Sequence, residues 1–107
     1  MNPVNNNPLD AAVIGKYCIL RGKGFGAFAG TVKAVDGNRA LVENARRLWF
    51  WSGAASLSQL AMEGVKNPEN CKFTVTVDSV LLLAVIEIIP ATEAAKASID
   101  GVKVWKR

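Results

Sequence analysis

The sequence contains no histidine. This absence removes the commonest general base and the commonest metal ligand, and it excludes Ser–His and Cys–His nucleophile pairs. The carboxylates are scattered singly, and no acidic loop has the spacing of an oxygen-liganded metal site. The segment GKGFG (22–26) lacks the spacing of a phosphate-binding or dinucleotide-binding fingerprint. We therefore predict a protein that is not an enzyme and has no metal or cofactor, although a mechanism based on Lys or Tyr stays open.

Cysteines and long apolar runs are also scarce. The chain has two cysteines, Cys18 and Cys71, whose spacing matches no metal or redox motif, so we interpret them as buried reduced thiols. The longest apolar run, residues 80–89, contains Glu87 and is half the length of about 20 residues that a membrane-spanning helix needs. The first ten residues lack the pattern of a signal peptide. These features predict a soluble intracellular protein with no membrane partner.

A length of 107 residues fits one domain with its own core. Residues 1–10 are polar and rich in Asn and Pro, and we predict that they form an arm outside a single domain spanning residues 11–107.

Three strands are predicted in the first half of the domain, at residues 16–21, 27–35 and 39–44. Asp36-Gly37-Asn38 is typical of a hairpin turn between the last two of these strands. Gly30, inside the second strand, predicts a bulge or sharp bend.

The second half changes its periodicity. A capping pattern at Ser56 and Gln59 predicts a helix that ends at Gly64, and Ser52 is an alternative cap for an earlier start. Residues 72–77 alternate as a strand, and residues 80–89 are either one buried strand or a strand pair. A short helix begins after Thr92 and ends at Asp100-Gly101, and residues 102–105 form a last short strand. The order predicts a mainly β (α+β) fold, a small SH3/Sm-like β-barrel with one inserted helix and a short C-terminal helix.

The net charge of +4 is unevenly distributed. Residues 16–47 carry seven basic and two acidic side chains, a surplus of five, whereas residues 48–107 carry six of each. This positive half favours an anionic partner, with Arg21 and Lys23 as secondary basic contacts. Solvated lysines and arginines on an ordinary surface explain the charge equally well.

Arginines and large aromatics are concentrated in RRLWFWS (46–52). In an extended chain, Arg47, Trp49 and Trp51 share one face, which would form a stacking platform for bases with a cation for phosphate. The helix start that follows offers free N–H groups to an anion. The alternative is that the aromatics are core or subunit-interface anchors, and both roles can coexist. The predicted ligand-binding residues are Arg46, Arg47, Trp49, Trp51, Ser52, Gly53 and Ser56.

Two parts of the chain resemble a family of short phage and prophage proteins of uncharacterised function. They are NARRLWFWSGAASLSQLAMEGVKNPENCKF (44–73) and AVIEIIPATEAAKASIDGVKVW (84–105). The resemblance implies a viral or prophage origin, and it implies no activity and no catalytic residues.

At the level of fold, the layout is similar to the Sm/Hfq-like barrel. The matching segments are AGTV (29–32), VDG (35–37), LVENA (41–45) and AVIEIIP (84–90). The helical insertion at residues 46–79, the C-terminal helix and the absent histidine depart from that pattern. This analogy implies a homo-oligomer, a ring or another symmetric assembly, and a nucleotide or nucleic-acid ligand.

Three functional hypotheses follow from these patterns. The first is an oligomeric phage accessory protein, located in the host cytoplasm, that binds a nucleotide-like or nucleic-acid ligand. Sequestering a host defence signal is one such role. The second is a structural or assembly protein of the virion, and the third is a protein inhibitor of a host enzyme.

Overall fold

A computed structural model describes residues 7–106 of the chain. Five strands form one antiparallel sheet in the order β4-β3-β2-β1-β5, and three short helices surround it. The strands are β1 (Tyr17–Gly22), β2 (Gly26–Asp36), β3 (Arg39–Phe50), β4 (Lys72–Leu82) and β5 (Val85–Pro90). The helices are α1 (Pro8–Ala11), α2 (Leu57–Glu63) and α3 (Glu93–Asp100), with a 3-10 turn at Pro68–Asn70. The predicted mainly β class with an inserted helix and a short C-terminal helix is confirmed.

The two edge strands, β4 and β5, are joined by only Leu83 and Ala84. A flat sheet would hold the outer strands about 19 Å apart, at four spacings of about 4.8 Å. Three Cα–Cα steps from Leu82 to Val85 reach at most about 11 Å, so the sheet must curl until its edges approach at this corner. The ladders nevertheless leave β4 and β5 unpaired with each other. The described residues thus form an open curled sheet, without the ladder that would close the predicted barrel.

The long apolar run at 80–89 is a strand pair, the second of the two arrangements that the sequence leaves open. The break falls at Ala84, whose φ of 62° lies in the left-handed region. Ala84 O accepts a hydrogen bond from Lys23 N at 3.0 Å, and Val85 N donates to Asn38 O at 2.8 Å. These bonds attach the β4–β5 link to the ends of two other hairpins.

The predicted irregularity at Gly30 is confirmed. The β2–β3 register shifts between Ala29 and Thr31, opposite Asn44, whose φ is 51°. A Cβ at Gly30 would lie 2.6 Å from Val42 Cγ1 and 3.0 Å from Glu43 O. Glycine is therefore required sterically where the bulged strand β3 passes closest to β2.

The curled sheet has a buried core on each face. One core lies under α2 and α3 and contains Ile19, Leu48 and Phe73, whereas the other contains Cys18 and Leu20. Alternation along β1 sends Cys18 and Leu20 to one core and Ile19 to the other. Both cysteines are free and buried, as predicted.

Side-chain caps begin α2 and α3 where the sequence predicts them. Ser56 Oγ accepts from Gln59 N at 3.1 Å, and Thr92 Oγ1 accepts from Ala95 N at 3.0 Å. The two helices meet at Gly64, where a Cβ would lie 2.3 Å from Ser98 Cβ. None of the helices within residues 7–106 combines the length and the apolar character needed to cross a membrane.

The ends of the chain differ from the sequence prediction. Residues 1–6 of the predicted arm lie outside the described residues, and Pro8 already begins α1, which Asn7 caps. The predicted last strand at 102–105 is reduced to one parallel bridge between Val104 and Phe73, with Trp105 N donating to Phe73 O at 2.9 Å. The C-terminal segment therefore covers only the beginning of the β4 edge.

Candidate functional site

The aromatic–arginine segment is the end of β3, six residues longer than predicted. The β3–β4 register shifts twice, between Arg46 and Leu48 and between Leu48 and Phe50. At the second shift the extra residue lies in β3, so strict alternation fails after Leu48, and Trp49 and Phe50 are both exposed. Arg46 and Leu48 are buried, whereas the indole of Trp49 is 64% exposed.

Arg46 is a structural residue, and the prediction that it contacts a ligand is not retained. Its side chain is 5% exposed, and its guanidinium donates four hydrogen bonds to backbone carbonyls at the ends of α3 and β4. The Cζ atom also lies 5.5 Å from the centroid of Phe73. Burial lowers the pKa of Arg46, while Tyr17 and Asp100 act in the opposite direction. Since four of its five N–H groups donate to backbone carbonyls and the side chain is buried, this guanidinium is not placed to meet a phosphate from solution.

Arg47 is half-buried and supports the β1–β2 turn. Its Cζ lies 4.3 Å from the centroid of Phe28, and Nη1 donates to Phe25 O at 3.0 Å. Arg47 does not line the cleft that Trp49 and Trp51 share. The predicted single face of Arg47, Trp49 and Trp51 is therefore not formed.

The two tryptophans instead line an open cleft of about 410 Å³. Its floor includes buried Ala27 and Leu48, and Arg21 stands at its rim. The sequence predicts Trp49, Trp51 and the secondary basic residue Arg21 as site residues, and the fold brings these three together. The lining residues are Arg21, Gly22, Gly26, Ala27, Leu48, Trp49, Trp51 and Leu57.

The basic residues at this end of the molecule are exposed. Arg21 Nε lies 3.0 Å from Glu87 Oε1, in an ion pair whose side chains are about half exposed. Lys23 is exposed in the β1–β2 turn and does not line the cleft. Gly22 gives this rim its shape, because a Cβ there would lie 1.7 Å from the ring of Phe25.

The predicted anion site at the start of the inserted helix is not available. The helix α2 has seven residues, and Ala55 N donates to Gln59 Oε1 at 2.8 Å while Gln59 N is occupied by the Ser56 cap. Ser52 N donates to Cys71 Sγ at 3.4 Å. Gly53 packs on the backbone of residues 66–67, where a Cβ would lie 2.5 Å from Lys66 N. We therefore do not retain Ser52, Gly53 and Ser56 as ligand contacts.

Residues 15–99 match the model of a family described as a domain of unknown function, DUF6948. The chain belongs to the DUF6948 family. The match includes all five strands, α2 and the whole cleft. The search of curated proteins returned no match, and neither did the search of solved structures. The description of DUF6948 states neither an activity nor a source.

Sequence reasoning missed five lining residues of this DUF6948 cleft, among them Leu48, which alternation assigns to the face away from Trp49 and Trp51. Gly22 and Gly26 belong to GKGFG, which we interpret from the sequence as a flexible connector. The steric need for glycine at Gly22 was the available signal. Ala27 and Leu57 carry no local signal, because they reach the cleft only through the packing of β2 and α2 beside β3.

Two titratable groups of the DUF6948 domain with shifted pKa values, Tyr17 and Arg46, lie beside α3, and neither lines the cleft. Burial raises the pKa of the Tyr17 phenol, and Asp100 raises it further. Lys96 Nζ lies 5.2 Å from the Tyr17 ring and 2.7 Å from Asp100 Oδ2. Within residues 7–106, no three side chains of Cys, Asp or Glu gather at a common point.

Proposed function

We propose that this protein is a non-enzymatic binding protein whose cleft holds the base of a nucleotide-like or nucleic-acid ligand. One observation carries the proposal. The exposed indole of Trp49 stands with Trp51 over an apolar floor, and Arg21 stands at the rim of the same cleft.

Stacking supplies the base contact in this proposal. An indole that is 64% exposed leaves a large apolar surface in water, which a flat aromatic guest would cover. The cleft volume of about 410 Å³ falls in the range of small-molecule sites, and its mixture of apolar walls and a few polar groups is typical of them.

Arg21 supplies the contact to the phosphate. Its ion pair with Glu87 is exposed, and such pairs contribute at most about 1 kcal/mol to stability. The guanidinium can therefore exchange the carboxylate for a phosphate at low cost, with a bidentate geometry that suits either anion. Lys23, exposed in the adjacent turn, adds positive charge on the same side.

We also propose that the protein is a homo-oligomer built through its sheet edges. Beyond Phe73, no strand among the described residues pairs with the outer edge of β4, and exposed Val75, Val77 and Leu81 lie along it. The opposite edge, β5, exposes Ile86. Natural proteins usually protect such edges, so two open apolar edges on one chain favour a second copy as the occupant. The strand order and the two-residue β4–β5 link support assigning the curled sheet to the small SH3/Sm-like barrels.

The cellular role in this proposal is that of a phage-type accessory protein in the host cytoplasm that retains a nucleotide, such as a host defence signal. The resemblance of residues 44–73 and 84–105 to phage proteins supports this part of the proposal. The open apolar edges favour a second candidate, a structural or assembly protein of the virion. Native mass spectrometry of protein from infected cells separates the two, through a bound nucleotide in the first case and co-purification with particles in the second.

Titration of tryptophan fluorescence with purine and pyrimidine mononucleotides tests the cleft. We expect quenching by the nucleotides, and we expect Trp49→Ala to weaken binding by about 1–3 kcal/mol. Arg21→Gln is expected to weaken it less and to reduce its salt dependence. The matched controls are Met62→Ala, which truncates another exposed apolar side chain, and Arg39→Gln, another arginine in an exposed ion pair. Equal mononucleotide binding by Trp49→Ala and Met62→Ala would refute the proposed site.

A further inference from the structure

A second cleft, of about 260 Å³, lies beside Trp105. Its walls include Trp105 and Lys103, and it shares no lining residue with the cleft at Trp49. The full lining is Pro68, Glu69, Cys71, Lys103, Val104 and Trp105. Nothing in the proposed mononucleotide site uses this space.

Exposed aromatics flank a lysine at the rim of the second cleft. Lys72 Nζ lies 5.6 Å from the centroid of Trp105, and Lys72 pairs with Phe50 across the β3–β4 ladder. The side chain of Phe50 is 50% exposed and that of Trp105 is 40% exposed. We call Phe50, Lys72 and Trp105 the lysine–aromatic strip. This alternation of rings and cations is typical of surfaces that follow a single strand of nucleic acid.

The position of Trp105 is fixed by the backbone around it. Trp105 N donates to Phe73 O at 2.9 Å, and Val104 forms a parallel bridge with Phe73. Val102 O, three residues earlier, accepts from Arg46 Nη2 at 2.6 Å. The backbone that carries the indole is therefore anchored before any ligand arrives, which lowers the entropic cost of stacking a base on it.

The two clefts are neighbours along the surface. Trp51 lines the first cleft, and the next residue, Ser52, donates from its backbone N to Cys71 Sγ at 3.4 Å. Cys71 lines the second cleft. The Ser52–Cys71 contact thus joins the chain beside Trp51 in the first cleft to the wall of the second.

We propose that the cleft beside Trp105 is a second base-binding position, so that the ligand is a single-stranded nucleic acid that spans both clefts. One base stacks in the cleft at Trp49, and a later base stacks on Trp105. The phosphates between them lie along Lys72 and Lys103, and Glu69 is the one carboxylate among the residues that line the second cleft. This inference rests on the proposed function, because it takes the first cleft to be a nucleotide site.

The charges and rings of the strip set how such a ligand would behave. Stacking on Trp105 is tolerant of sequence, since every base has a π-face, so poly-U and poly-A strands should both bind. Each lysine that neutralises a phosphate adds about 0.7 to the slope of log affinity against log salt for a single strand. Loss of both Lys72 and Lys103 should therefore reduce that slope by about 1.4.

The test compares a fluorescein-labelled single-stranded RNA of about ten nucleotides with a labelled mononucleotide, by fluorescence anisotropy on the full chain. We expect the decamer to bind at least about tenfold more tightly than the mononucleotide, since stacking adds about 1–3 kcal/mol per base. Trp105→Ala should weaken the decamer at least about fivefold and weaken the mononucleotide much less, because a single nucleotide still has the cleft at Trp49. Trp49→Ala should weaken both. Trp105→Phe, which keeps an aromatic ring, should recover most of the decamer affinity.

Two controls keep the test decisive. Lys33→Gln removes one charge from an exposed ion pair with Glu43 and should leave the decamer slope unchanged, whereas Lys72→Gln should lower it. Thermal melting of each variant establishes that it is folded. If the mononucleotide binds at Trp49 and the decamer gains nothing from Trp105, the second position is wrong and the first survives. If neither ligand binds, both proposals fail.

Discussion

Arg46 Nη1 donates a hydrogen bond to Ile99 O at 2.7 Å, joining the middle of β3 to the last turn of α3. The same guanidinium donates to Val102 O at 2.6 Å and to Thr74 O at 2.8 Å. The last carbonyls of a helix have no partner inside the helix, so a buried helix end needs a donor from elsewhere. Arg46 provides it, and it links α3, the C-terminal segment and β4 through one side chain.

Replacing Arg46 by lysine should therefore destabilise the fold while keeping the charge. Lysine cannot reproduce the planar set of donors, and the carbonyls left without partners are buried. We expect the free energy of unfolding to fall by about 3 kcal/mol or more, measured by urea denaturation. The control, Arg39→Lys, alters an exposed ion pair with Asp36 and should cost at most about 0.5 kcal/mol. Equal stability of the two variants would contradict this role of Arg46.

Gly30→Ala should destabilise the protein through overpacking at the bulge. The new methyl group would meet Val42 Cγ1 at 2.6 Å and Ala45 Cα at 3.1 Å, and backbone atoms cannot move aside cheaply. We expect a loss of about 1–3 kcal/mol in the free energy of unfolding. Gly101→Ala is the matched control. A Cβ at Gly101 would lie no closer than 3.3 Å to its nearest neighbour, Ala97 O, and the φ of Gly101 is −79°, which alanine adopts without strain. If Gly30→Ala unfolded at the same urea concentration as the wild-type protein, the steric argument would be contradicted.

Ala84→Gly should stabilise the protein slightly. Ala84 has a φ of 62°, and the left-handed region costs a residue with a Cβ about 1–2 kcal/mol. Glycine removes this strain but gives the unfolded chain more freedom, about 0.4–1 kcal/mol, so a net gain of about 0.5 kcal/mol is expected. The same substitution at exposed Ala97, inside α3, should instead cost about 1 kcal/mol. Thermal melting of the pair tests the opposite signs, and a loss in both variants would contradict the prediction.

Stability should fall in alkaline solution because of Cys18. Burial raises the pKa of this thiol from 9.0 to about 11, with Lys16 partly offsetting the shift. The folded protein holds the proton more tightly than the unfolded chain does. The resulting stability is complete below pH 9 and is lost as the pH rises to about 11, a fall of about 2 kcal/mol. Urea denaturation at a series of pH values measures it.

The Cys18→Ala variant isolates that contribution. Its free energy of unfolding should stay flat between pH 9 and pH 10, the ordinary pKa values of a thiol and of a tyrosine. A fall above pH 10 then comes from Tyr17, whose pKa burial raises, and from Lys96, whose pKa the hydrogen bond to Asp100 raises. A wild-type profile that is already flat up to pH 11 would contradict the assignment.

A charge on the β4 edge should prevent self-association. Val75→Lys places an ammonium among exposed apolar side chains on an unpaired edge, a device by which natural sheets avoid pairing. We expect the wild-type chain to elute above its monomer mass of 11.4 kDa in light-scattering chromatography and the variant to elute as a monomer. Met62→Lys, on an exposed position of α2, should leave the assembly intact. A wild-type chain that is monomeric at every concentration would refute the proposed oligomer.

Local signals in the sequence were sufficient for the framework of this fold. The caps at Ser56 and Thr92, the turn at Gly37 and the bulge at Gly30 each depend on a few adjacent residues, and each is confirmed. The strand pair at 80–89 needed a break that only the left-handed Ala84 reveals. The apolar sequence of residues 80–89 contains no signal that predicts a left-handed conformation at Ala84.

The candidate site was only partly predictable, because it depends on contacts between distant segments. The register shift between Leu48 and Phe50 puts an extra residue into β3 and interrupts the alternation that placed Trp51 on one face with Arg47 and Trp49. The burial of Arg46 requires Ile99, which lies 53 positions away in the chain. The sequence identified three candidate binding residues, Arg21, Trp49 and Trp51, from their side-chain chemistry. Their position in one cleft depends on the packing of β1, β3 and α2, which no local pattern predicts.

The place of β1 inside the sheet has a consequence for synthesis on the ribosome. Its ladder with β5 joins Cys18 to Pro90 and Leu20 to Ile88, so one side of β1 has no native neighbour until β5 has been synthesised. At a translation rate of about 5–20 residues per second, the backbone groups on that side of β1 lack their hydrogen-bond partners for several seconds after the earlier hairpins have been synthesised. Such a high contact order predicts slow, late completion of the tertiary structure and an exposure to misassembly that chaperones would relieve.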